Sequence, residues 1–274
     1  MNFDTYKITS AELSKYVPYI LFNYSNKPGN NQQVTSFANA NICLGITNHR
    51  EVYCNTAGVK TTRPRNGIHS YLSAMYLAPH RFQLAGVLDE ICIDFTPLGY
   101  YHFFPFPLRT YIFNEDILGE SFGKQSKFFF EAVFSIFNNQ QRGAMIEAFL
   151  LENIKTCENY FLNESVHHIH SYPHGINLKQ LSKLQKCSEK KITRSFISKF
   201  DLSPKDYMRI VKFRKALHAL HYGPRQSLTS ISHACGYYDQ SHFIKEIKCF
   251  TGTAPRQLRM NLSNVKKDVI IAVR

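Results

Sequence analysis

Nine side chains in two short runs near the end of this 274-residue chain have the types and spacing to read a polyanion. Ser188, Lys190, Lys191 and Arg194 form the first run; Asp239, Gln240, Ser241, His242 and Lys245 form the second. On a helix, Lys190 and Arg194 stand four residues apart and share one face, as do Ser241 and Lys245. Lys, Arg, Gln and Ser on the first turns of a helix supply the donors and acceptors that fit base edges and phosphates in a major groove. Ser188 and Asp239 precede each run, where a side-chain oxygen can accept from the free backbone donors of a helix start. Other chemistries find less material. The seven cysteines are scattered and none forms a C-x-x-C pair, so reduced structural thiols are expected. His167, His168, His170 and His174 crowd together, but Pro173 prevents one helix from presenting His170 and His174 on one face. That stretch reads as a polar, proline-ended linker. With no Ser/His/Asp, Walker or paired-carboxylate signature, no enzyme, catalytic residue, metal or cofactor is expected.

The charge distribution agrees with a polyanion reader. Residues 1–173 carry 13 Lys+Arg against 14 Asp+Glu, whereas residues 174–274 carry 20 against 6, so the whole formal excess of +13 sits in the last hundred residues. Such a surface neutralises phosphates, although a solvated basic skin, or one facing acidic lipid or RNA, has the same charge.

The elements that must hold the two runs repeat at an offset of 51 residues: Ser188 with Asp239, Arg194 with Lys245, Phe196 with Ile247, Asp201 with Gly252, Pro204 with Pro255, and Tyr207 with Leu258. In the first copy Leu178, Leu181 and Leu184 mark a short support helix, Gln185 to Cys187 break it, and the next helix buries Ile192 and Phe196. In the second, Ser227 opens the support helix, Leu228 and Ile231 are its inner face, Gly236 makes the turn, and the next helix buries Phe243 and Ile247. Ser203-Pro204 starts a longer connecting helix with Tyr207, Ile210, Val211, Phe213, Leu217 and Leu220 inward, ending near Gly223-Pro224. If rigid, it sets the readers about 34 Å apart, one turn of DNA.

The N-terminal part reads as strands at Tyr19 to Tyr24, Ile42 to Thr47, Tyr71 to Leu77 and Ile91 to Phe95, with Asn48-His49-Arg50 as a hairpin connection to Glu51 to Cys54. Two amphipathic helices follow, one through Phe128, Phe129, Ala132, Val133, Ile136 and Phe137, the other through Met145, Ile146, Phe149, Leu150 and Ile154. Their apolar faces cover the sheet, or, for the second, pair with another copy of the chain. No apolar run approaches the roughly 20 residues that span a bilayer, and no secretory signal is recognised, so a cytoplasmic protein without membrane contact is expected.

Leu178 to Arg259 closely resembles the double helix-turn-helix domain of the AraC/XylS family of bacterial transcription regulators. The first copy matches in Leu181-Ser182, Ser188, Arg194-Ser195-Phe196 and Leu202-Ser203-Pro204-Lys205-Asp206-Tyr207, and the connecting helix in Lys212-Phe213 and Ala216. The second matches in Ser227-Leu228, Gly236-Tyr237, Asp239 to Phe243, Lys245, Phe250-Thr251-Gly252 and Ala254-Pro255. The resemblance implies base contacts from Lys190, Arg194, Gln240, Ser241 and Lys245, and phosphate contacts from Lys191, His242 and the helix N-termini. Ser182 and Ser232 stand where the family carries small Ala, Asp201 where it carries a helix-ending Gly, and Lys186 at a usual Gly position. Ile91 to Tyr101 and Ile117 to Glu120 resemble an uncharacterised sensor domain of some members. Tyr100, Tyr101, Phe103, Phe104 and Phe106 nearby read as core.

The expected architecture is α+β: a β-rich, barrel-like sensor or dimerisation domain with a helical pair (1–160), a linker (161–175), an all-α DNA-binding domain of two helix-turn-helix units joined by a long helix (176–260), and a tail (261–274). The expected function is sequence-specific transcription regulation on promoter DNA, with RNA polymerase, a small-molecule effector and a second copy of the chain as further partners. A sequence-indifferent architectural DNA binder and a repair enzyme with a borrowed module are the alternatives.

Overall fold

Alternation at period two sorts the N-terminal strand residues onto two faces, one in an apolar core and the other lining a cavity. A computed structural model describes residues 2–27, 31–54, 60–73, 75–104, 107–111, 116–156, 160–223, 226–266 and 269–273. Strands β1 (Asn2–Lys7), β2 (Tyr19–Ser25), β3 (Asn31–Ser36), β4 (Ile42–Cys54), β5 (Lys60–Ser73), β6 (His80–Ala85) and β7 (Leu88–Phe95) form a curved sheet in the order β1-β2-β7-β4-β5-β6-β3. Its pairings are antiparallel except β5 with β6. Ile20, Phe22, Ile42, Leu44, Ile46, Ile91, Ile93 and Phe95 point to one side, into a fully apolar core. Tyr19, Leu21, Asn23, Cys43, Glu90, Cys92 and Asp94 alternate with them and line a concave cavity.

Helices cover the apolar side: α1 (Pro97–Phe103), α2 (Leu108–Tyr111), α3 (Ile117–Phe122), α4 (Ser126–Phe134) and α5 (Asn139–Asn153). Tyr100, Phe103, Phe104, Phe130, Val133, Ile146 and Leu150 sit in that core; Phe106 lies outside the described residues. Arg142 of α5 grips Asp89 with two hydrogen bonds of 2.9 and 2.8 Å, and Glu147 accepts from Tyr6 Oη at 2.6 Å, so α5 is pinned to the sheet.

Several expectations change. No hairpin forms at Asn48-His49-Arg50: β4 runs straight through, with a bulge at His49, whose φ is 54°. Pairing with β5 resumes on the far side of it with a shifted register, Asn48 opposite Ile68 and Arg50 opposite Pro64, so the positive φ is absorbed as a kink and not a reversal. The Tyr71 to Leu77 strand ends at Ser73 as part of β5. Helix α4 ends at Phe134, leaving Phe137 outside it and 101% exposed. Residues 161–175 are mostly not a linker, because α6 spans Tyr160–Ser171 and buries Leu162, Val166 and Ile169. Its histidines hid the apolar period. The residues expected as a tail include strands β8 (Ser263–Lys266) and β9 (Val269–Val273), and β9 joins β3 in the sheet through Val34 and Val273.

Helices α7 (Leu178–Leu184), α8 (Glu189–Phe200), α9 (Pro204–Tyr222), α10 (Leu228–Ala234), α11 (Gln240–Thr251) and α12 (Pro255–Asn261) share a second core with α6. Phe196, Phe213, Phe243 and Phe250 are wholly buried there, each worth roughly 1.5–3 kcal/mol of burial. Phe37, Ala38 and Ala40, between β3 and β4, enter the same core. The sheet and the helical unit are therefore packed together.

Candidate nucleic-acid interface

Helices α8 and α11 each begin on a side-chain cap. Ser188 Oγ accepts from Lys191 N at 3.2 Å to start α8, and Asp239 Oδ1 accepts from His242 N at 2.7 Å to start α11. These oxygens satisfy backbone donors left free at a helix start, which orders the first turn. The support helices are capped too, α10 by Ser227 and α7 by Asn177 in a reciprocal pair with Gln180. The Asn177 cap went unread in the sequence, although Asn three residues before Gln, just ahead of an apolar run, is the signal.

The two copies do not keep one offset. Support helices and their caps superpose at 50 residues (Asn177 on Ser227, Ser182 on Ser232), and reader helices at 51 (Ser188 on Asp239). The second turn is one residue longer. Both turns need a left-handed residue, Lys186 at φ 48° and Gly236 at φ 74°. At Gly236 a Cβ would also lie 1.9 Å from the His174 carbonyl oxygen, so glycine is required there twice over. Ser232 Oγ donates to the Asp239 carbonyl at 2.9 Å, using its hydroxyl to tie support helix to reader. Asp201 closes α8 at φ 51°, where Gly252 closes α11 at 69°. Leu184, expected inward, is exposed.

The amphipathic period turns Ile192, Phe196 and Phe200 of α8, and Phe243, Ile247 and Phe250 of α11, into the core. Lys190, Lys191, Arg194, Ser241, His242 and Lys245 are left exposed, with Ser188 and Asp239 beside them. Gln240 is half-buried, and its Oε1 accepts from Thr229 Oγ1 at 2.6 Å, which orients its amide. Lys191 Nζ lies 4.6 Å from the centre of the Phe161 ring on α6, holding this side chain toward α6.

Helix α9 joins α8 and α11. Toward α8, Tyr207 packs its ring on Phe196 and Phe200; toward α11, Phe213 stacks on Phe250 at 4.7 Å. Arg209 bonds Glu246 of α11 through two contacts of 3.0 Å and Asp206 through a third of 3.0 Å. These bonds raise the guanidinium pKa above its ordinary value, against the effect of its burial. Lys212 Nζ donates to the Gly236 carbonyl at 2.8 Å, and burial lowers its pKa. His170 meets the Tyr207 hydroxyl at 2.8 Å, and burial lowers its pKa. The histidine-rich stretch thus serves helix packing at this position. The contacts of α9 with Glu246, Gly236, His170 and Phe250 were not read from sequence, because each joins residues 24 or more positions apart in the chain.

The sheet domain also touches α8. Tyr101 of α1 donates to the Lys199 carbonyl in the last turn of α8, its ring lies 6.2 Å from that of Phe200, and Lys199 Nζ lies 5.0 Å from its ring centre. Arg214 of α9 lines the concave cavity of the sheet.

Residues 181–261 match the family described as helix-turn-helix domain. The Msm operon regulatory protein of Streptococcus mutans is 26% identical over 125 residues, 44% of this chain and 45% of that protein, so the match spans less than half of the relative. Among solved structures, an AraC-type DNA-binding domain-containing regulator from Chromobacterium violaceum is 20% identical, covering 36% of this chain and 89% of its own at a TM-score of 0.34. Fatty-acid-bound ToxT from Vibrio cholerae is 11% identical, covering 88% of this chain and 95% of its own at a TM-score of 0.45.

Proposed function

With a C-terminal helix-turn-helix domain of the AraC type as the starting point, we propose that this chain is a sequence-specific transcription regulator. It lays α8 and α11 into neighbouring major grooves on one side of a promoter. Lys190, Arg194, Gln240, Ser241 and Lys245 read base edges; Lys191, His242 and the two helix N-termini hold phosphates. The observation that carries this reading is the pair of capped, outward-facing basic helices joined through buried contacts to α9. At 19 residues, α9 is about 28 Å long, in keeping with readers about one turn of DNA apart.

The chain works by binding and not by catalysis, in the cytoplasm where promoter DNA and RNA polymerase are. The sheet domain controls it through an effector, because cavity and readers share α9 through Arg214. A second copy of the chain on the same promoter belongs to this reading. Among the described residues no helix is long and apolar enough to cross a membrane.

Selection of bound fragments from a random duplex pool by the purified full-length protein tests the reading. A motif of two half-sites with centres about 10–10.5 base pairs apart is expected. Recovery of unrelated sequences only would make the chain an architectural binder and end the proposal.

A further inference from the structure

We propose that the concave face of the sheet binds a small organic cation, a ring-sized primary amine whose ammonium is held between Glu90 and the side-chain oxygen of Asn23. The proposal rests on the reading of the chain as an effector-controlled regulator.

The cavity has a volume of about 140 Å³, close to that of an apolar cavity known to accept one benzene ring. Its lining is unusual for a sheet face out of water. Asn23, Glu90 and Asp94 are only 3%, 5% and 4% exposed, and a buried carboxylate is costly unless a compensating charge reaches it. Glu90 accepts from Tyr71 Oη at 2.8 Å and Asn23 Nδ2 at 2.9 Å; Asp94 accepts from Asn41 Nδ2 at 2.6 Å and bonds Tyr19. All four donors are neutral. The cations facing them are Lys60, whose Nζ lies 5.8 and 5.4 Å from the ring centres of Tyr71 and Phe82, and Arg214 on the Asp94 side. The neighbouring Asp89 opposes ionisation of Glu90, and burial pushes the His80 pKa down to about 4, keeping that ring neutral. The positive charge present does not balance the burial: both carboxyls are raised, Asp94 to about 6, with burial the largest cause.

Asn23 supplies the independent observation. Its amide nitrogen donates to Glu90, which fixes the orientation of the group and leaves Oδ1, a buried acceptor, without a hydrogen-bond partner. An acceptor beside a carboxylate asks for an N–H donor, and a primary ammonium offers three. The walls are compatible with the same guest: Tyr19, Tyr71, Tyr76 and Phe82 line the cavity, and the Lys60 ammonium at the Tyr71 and Phe82 rings shows that this wall accepts a cation. Tyr71 is held for this role by Gly45, since a Cβ there would stand 2.2 Å from the ring. A ligand carboxylate would instead face Glu90 and Asp94. A cleft of about 300 Å³ between sheet and α9 shares Tyr19, Asn39, Asn41 and Arg214 with the cavity, placing Arg214 at an entrance.

Calorimetric titration of the full-length protein with benzylamine, benzyl alcohol and benzoate tests this. Benzylamine is expected to bind one to one, at least about tenfold more tightly than benzyl alcohol, with no uptake of benzoate. Glu90→Gln and Asn23→Leu are each expected to weaken benzylamine about tenfold while leaving the alcohol unchanged. Circular dichroism verifies folding, and Asn23→Leu decides if Glu90→Gln does not fold. Equal or tighter binding of the alcohol or benzoate, no binding of benzylamine at millimolar concentration, or unchanged affinity in a folded variant would overturn the proposal. Fragment selection with the same preparation separates the two readings. A DNA motif without amine binding removes the cation site alone; amine binding without a motif removes the regulator reading alone.

Discussion

Arg209 of α9 holds Glu246 of α11 in a two-pronged bond, Nε to Oε2 and Nη2 to Oε1, both at 3.0 Å. The planar guanidinium fixes direction as well as distance, so the pair sets the angle at which the second reader leaves the connecting helix. Arg209 is 40% exposed and Glu246 16%, so solvent screens the pair. A double-mutant cycle with Arg209→Met and Glu246→Gln, read by denaturant unfolding, is expected to give a coupling of about 1 kcal/mol. Operator affinity is expected to fall severalfold while affinity for heparin, which needs charge without geometry, stays close to wild type.

Lys245 stands exposed on the second turn of α11, with its neighbours held by the Asp239 cap. Lys245→Ala is expected to weaken operator binding by roughly 1–3 kcal/mol and random duplex far less, as read by fluorescence anisotropy. Lys191→Ala, which removes a proposed phosphate contact, is expected to weaken both alike and to reduce the salt dependence by about one ion. An unchanged operator-to-random ratio in Lys245→Ala would refute the assigned base contact.

Much of the geometry of α8 and α11 was legible in the chain because its determinants are local. Caps, turn residues and the buried period of α8 and α11 lie within a dozen residues of one another, and they place the exposed candidates without tertiary information. The offset of 51 was legible for the readers and wrong for their support helices, because a one-residue insertion in a turn leaves both patterns intact. Helix α6 was hidden by its histidines, and the bulge at His49 looked like a reversal because the pairing that carries β4 onward comes from β5. The cavity was not legible at all: Asn23, Glu90 and Asp94 share a face only after β2 and β7 pair, with Asn23 opposite Glu90.

Lys186 adopts φ 48° at the first turn, where the second copy has Gly236. A side chain in this region costs on the order of 1 kcal/mol. Lys186→Gly is therefore expected to raise stability by about 0.5–1 kcal/mol, measured by urea unfolding. Gly236→Ala is expected to destabilise strongly, since its Cβ would strike the His174 backbone.

Asp94 gives a pH signature of the ligand-free protein. Its pKa is raised from 3.8 to about 6 on folding, so the native state holds the proton more tightly. Its contribution to stability is complete below pH 3.8 and is lost as pH rises through about 6. Asp94→Asn is expected to gain up to roughly 3 kcal/mol over wild type at pH 7 and much less at pH 4.5. Unfolding at the two pH values checks this; an equal gain at both would show that the carboxyl is not raised.

Competition binding by the full-length protein most directly tests the twin readers. A labelled duplex from the selection is challenged with a scrambled duplex of equal length and with heparin at 0.15 M salt. The selected duplex is predicted to win by about a thousandfold or more over the scrambled one, with Arg194→Ala and Lys245→Ala each eroding that ratio. Equal displacement by all three competitors, with the protein folded, would contradict sequence reading by α8 and α11.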